Sequence, residues 1–107
     1  MNITFEHNGK NYILEYSKQA VRTMENQGFS LDLIGEKPTI MIPLLFRGAF
    51  IMHHRNIKGR LVDEIYNDID KEDLVVALAE MYSETVNSVI EGNSDETTKK
   101  VKWTKNE

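Results

Sequence analysis

The chain has no cysteine among its 107 residues, and only 2 prolines and a single tryptophan. Without cysteine there is no disulfide, no thiolate nucleophile and no Cys-ligated zinc. Positive charge is also in short supply. Lys and Arg number 13 against 17 Asp and Glu, which gives a formal charge of -4 and works against a nucleic-acid module. Long apolar runs are missing: the richest stretch, Ile40 to Met52, is interrupted by Pro43 and Arg47. It falls short of the roughly 20 residues a membrane span requires. The opening "MNITFEHNGK" has no basic region followed by an apolar one, so it does not read as a secretory signal. A soluble, cytoplasmic protein is the expectation.

What remains is enough for one domain with one modest core. Ile3 and Phe5 alternate with Thr4 and Glu6, and Tyr12, Leu14 and Tyr16 alternate with Ile13 and Glu15. Asn8-Gly9 between the two runs predicts a β-hairpin through a type I′ turn. Ser17 is positioned to cap a helix with Ala20, Val21 and Met24 inward, ending at Gly28 with Phe29 folding back. "FSLDLI", residues 29–34, alternates and reads as a third short strand. Thr39 then N-caps a helix with Pro43 near its first turn and apolar residues on more than half its circumference through Met52. Leu61, Val62, Ile65, Tyr66 and Ile69 give a short amphipathic helix. Asp70 caps the longest one, whose inner face carries Leu74, Leu78, Met81, Tyr82 and Val89, widened by Val75, Ala79, Val86 and Ile90, up to Gly92. Residues 93–107, "NSDETTKKVKWTKNE", are polar and lysine-rich and read as a mobile tail.

Few residues invite chemistry. His53 and His54 are neighbours, pointing about 100° apart on a helix, so they do not share an ion as i, i+4 ligands do. At a helix C-terminus they suit the exposed carbonyls instead. A metal site joining His7, one of the pair and a carboxylate is the disfavoured alternative. "NDIDKED" lacks the turn glycine of a calcium loop. The glycines at 9, 28, 35, 48, 59 and 92 form no phosphate loop. Gly48, inside a helical pattern, predicts close approach of another element, within this fold in preference to between subunits. No nucleophile, base and orienting group come together, and no cofactor is implied. The expectation is a protein without enzymatic activity.

The order of several segments carries a resemblance. "LEYS" followed by "ME..GF", "KP" before "LF.GAF..HH", and "L.EMY", within residues 3–92, resemble a family of short phage tail-assembly-chaperone-like proteins from phages and prophages of Gram-positive bacteria. The resemblance implies a non-enzymatic role in virion morphogenesis. Such chaperones bind the long helical tape-measure protein and keep it soluble before the tail tube polymerises. The implied partners are the tape-measure protein, then the tail tube protein and further copies of the chain. The implied setting is the host cytoplasm, outside the mature virion.

The resulting expectation is an α+β domain over residues 1–92, with an N-terminal hairpin and a possible third strand on about four helices, and a polar tail at 93–107. Met24 and Met81 belong to its core. Met41, Phe46, Phe50 and Met52 are the candidates for contacting a partner through adaptable apolar side chains. Trp103 is either a partner anchor or a residue docked on its own domain. The alternative function is a small regulatory protein that binds nucleic acid through the lysine-rich tail.

Overall fold

A computed structural model describes residues 1–91 and Asn106. Strands β1 (Ile3–His7) and β2 (Lys10–Leu14) pair antiparallel, with Ile3 opposite Leu14 and His7 opposite Lys10. Asn8 and Gly9 take φ of 51° and 80°, the double positive φ that a type I′ turn demands. Tyr12 and Leu14 point inward from β2, and Phe5 stacks on Tyr12 at 5.3 Å between ring centroids.

Helix α1 (Lys18–Asn26) starts where the Ser17 hydroxyl accepts the Ala20 N–H at 3.0 Å, and it buries Ala20, Val21 and Met24. Gly28, at φ 94°, ends it, and the Phe29 N–H returns to the Met24 carbonyl at 2.9 Å. The segment read as a third strand is instead a 3-10 turn at Leu31–Leu33. Its internal bonds, Leu33 N–H to Ser30 and Ile34 N–H to Leu31, put Leu31 and Ile34 three residues apart on one side, facing the last helix.

Helix α2 runs Pro38–Gly48 with Lys37 at the cap position, not from a Thr39 cap through Met52. Pro38 occupies the first helical position, where no N–H is needed. Pro43 lies inside and removes the bond its N–H would give the Thr39 carbonyl. The helix stops at Gly48 because the chain beyond it turns to serve β2: the Ala49 carbonyl accepts the Glu15 N–H at 3.0 Å. His53 and His54 therefore lie in a turn segment, not on the helix end expected of them. Gly48 packs on α1. A Cβ there would meet Met24, with Cγ at 2.7 Å, so the glycine serves packing within the chain.

Helix α3 (Gly59–Asp68) buries Val62 and Ile65. Asp70 does not cap the long helix. Its Oδ1 accepts the Glu72 N–H at 3.0 Å in a turn, and Asp73, at φ 60°, leads into α4 (Leu74–Glu91). Leu74, Leu78, Met81 and Tyr82 join Met24, Leu45, Phe46, Phe50 and Ile65 in one core. Val89 and Ile90, expected on the inner stripe, are exposed because the end of α4 has little beneath it but α1. Gly92 and the tail lie outside the described residues. Among the described residues the architecture is α+β: a two-stranded hairpin followed by four α-helices.

Candidate protein-interaction surface

The three histidines are engaged separately. His7 Nε2 lies 2.8 Å from Asp68 Oδ2, and His53 Nε2 lies 2.9 Å from Glu15 Oε1. His54 Nε2 accepts the Ile13 N–H at 3.0 Å, so that nitrogen carries no proton and the neutral ring bears its hydrogen on Nδ1. Burial, then the charges of Lys10 and His53, hold the His54 pKa below its ordinary value. Each histidine ties the hairpin to a later segment, and they do not converge. Among the described residues, no group of three or more His, Asp and Glu side chains could hold a metal ion.

The residues proposed from sequence for partner contact separate in the same way. Met41, Phe46 and Phe50 are buried in the core, 4%, 1% and 1% exposed. Phe50 packs edge-on against Phe5, Tyr12 and Phe46, and Phe46 also against Tyr66. Most of the apolar surface of α2 is thus covered by this chain's own α1, α3 and α4, with Ile40 left 55% exposed, and the hairpin rings close over Phe50. Met52 is 46% exposed in the turn after α2. Trp103 lies outside the described residues.

A different apolar surface is open. Leu31 and Ile34 from the 3-10 turn face Val75, Val76 and Ala79 of α4 across a groove of about 680 Å³. Among the described residues, Glu80 and Glu84 are its charged lining groups, and Val76 is 58% exposed. Further along α4 a second groove is lined by Val21, Val86, Val89 and Ile90, with Lys18 and Arg22 outnumbering Glu25. One helix thus carries an acidic-rimmed groove toward its start and a mainly basic one toward its end. Such patches commonly mark protein contacts when polar groups rim them.

Sequence reasoning missed Val76. The available signal was its place on α4 opposite Leu74, Leu78 and Met81, since an apolar residue off the buried stripe has to face solvent or a partner.

Residues 1–106 match a family model described as a domain of unknown function (DUF5055). The chain belongs to that family. No curated protein and no solved structure matches it. The family description names no activity.

Proposed function

We propose that the chain is a non-enzymatic phage tail assembly chaperone that binds the tape-measure protein in the host cytoplasm and keeps it soluble during tail morphogenesis. The observation that carries this reading is the acidic-rimmed apolar groove between the 3-10 turn and α4. A helix laid into such a groove contributes apolar residues at i, i+3, i+4 and i+7. Glu80 and Glu84 favour a partner segment whose apolar stripe is flanked by lysine or arginine. A long helical protein with repeated amphipathic segments offers many such sites, and shielding them one by one would keep it from aggregating.

The test is co-expression of the full chain with a long helical segment of the tape-measure protein. Solubility of the segment only in the presence of the chain, with co-elution, supports the reading. Loss of co-elution with Val76→Lys but not with Met52→Ala would assign it to the groove. A segment that stays insoluble beside folded chain overturns it.

A further inference from the structure

Two apolar grooves lie open along α4: the acidic-rimmed groove around the exposed Val76 and the basic-rimmed groove ending in the exposed Val89 and Ile90. Their order along the helix is informative. Among the described residues, starting from Glu91 and moving back toward Leu74, the lining charge is first Lys18 and Arg22 beside Glu25, and then Glu84 and Glu80. The sequence after Glu91 carries the complementary order. "NSDE" supplies Asp95 and Glu96, and "KKVKWTK" (99–105) supplies four lysines around Val101 and Trp103 with no acid.

We infer that the chain's own residues 99–105 dock on the groove formed by Leu31, Ile34, Val76 and Ala79, with Trp103 as the anchor and the lysines toward Glu80 and Glu84. Reach permits this. Going back from Glu91 to Val76 covers roughly 22 Å of helix at about 1.5 Å per residue, and the 12 residues from Gly92 to Trp103 span at most about 40 Å when extended. Running back along α4 brings Asp95 and Glu96 past Lys18 and Arg22 before the lysines meet Glu84 and Glu80. The groove at Val86–Ile90 lies nearer, but its cations repel the lysine cluster. Tethering gives the contact a high effective concentration, so a weak site suffices. The docking does not depend on the tape-measure reading. If that reading also holds, the tail and the partner segment compete for one groove.

Trp103 is the only tryptophan, so its fluorescence reports the contact without labelling. The experiment uses the full chain and measures emission maximum and acrylamide quenching, with circular dichroism to confirm folding. Two variants disrupt the groove: Val76→Lys, at an exposed position, and Glu80→Lys combined with Glu84→Lys. The expected result is a blue-shifted, shielded tryptophan in the native chain that moves to solvent-like emission and faster quenching in both variants. Added salt should shift the native chain the same way. Solvent-like emission in the native chain overturns the inference, as does shielding that both folded variants retain. Shielding that grows with protein concentration also overturns it, by assigning the tail to a second copy. Should Val76→Lys fail to fold, the double glutamate variant decides alone.

Discussion

The backbone N–H of Ile13 donates to Nε2 of His54 across 41 positions of sequence, at 3.0 Å. Ile13 lies opposite Thr4 in the hairpin, and its N–H points away from β1. Together with the bond from the Glu15 N–H, just past β2, to the Ala49 carbonyl, this contact ties the far end of the outer edge of β2 to the turn segment after α2. An edge strand would otherwise present unpaired donors to another chain. The histidine that looked like the end of a helix is a cap on a sheet edge.

That contact sets a pH dependence. The folded His54 pKa is below the ordinary 6.5, so the unfolded chain binds the additional proton. The stabilisation is complete above about pH 6.5 and declines as pH falls from there toward the folded value. Denaturant midpoints measured from pH 7.5 downward should fall in the native chain. They should fall less in His54→Gln, whose amide oxygen can accept the Ile13 N–H without titrating. Identical slopes would remove His54 as the origin.

Gly48→Ala should destabilise despite the better helix propensity of alanine. The new methyl would overlap the fully buried Met24 side chain, which must change rotamer within a packed core to make room. Overpacking of this kind costs about 1–3 kcal/mol. A shorter residue at position 24 should recover part of the loss in a double-mutant cycle by urea unfolding, and strict additivity would contradict the contact.

Tyr16→Phe probes a buried hydrogen bond. The Tyr16 hydroxyl donates to the Leu45 carbonyl at 2.5 Å, and burial pushes its ionisation far above the ordinary tyrosine range. Removing the donor leaves that carbonyl, in the last turn of α2, without this partner. The expected loss is about 1–3 kcal/mol with the fold retained, read from chemical denaturation. A neutral substitution would mean that the carbonyl finds another donor.

Phe50→Ala and Met52→Ala, only two residues apart, should separate sharply. Phe50 is enclosed by aromatic rings, and its truncation should cost about 3–5 kcal/mol. Met52 is half exposed and its change should stay within about 0.5 kcal/mol. Thermal melts give both values. Loss of partner binding in Phe50→Ala would then report unfolding, whereas loss in a folded Met52→Ala would assign Met52 to an interface.

Local chemistry was legible in the sequence by itself. The positive φ required at Asn8-Gly9 set the hairpin, the Ser17 hydroxyl set the start of α1, and Gly28 its end. The periodicity of Leu74, Leu78, Met81 and Tyr82 set the buried face of α4. Each depends on neighbours within a few residues, so the pattern is already complete along the chain. What the tertiary structure decided is where those elements meet. The apolar circumference of α2 looked like a surface awaiting a partner until α1, α4 and Tyr66 of α3 closed around most of it, leaving Ile40 outside. α2 ends at Gly48 because β2 needs the Ala49 carbonyl and the His54 ring, and no periodicity encodes that demand. The open groove at Val76 likewise exists only where a 3-10 turn from residues 31–33 lies beside a helix that begins at residue 74. Exposure is a property of such long-range packing, so the sequence could identify the apolar residues but not which of them remain uncovered.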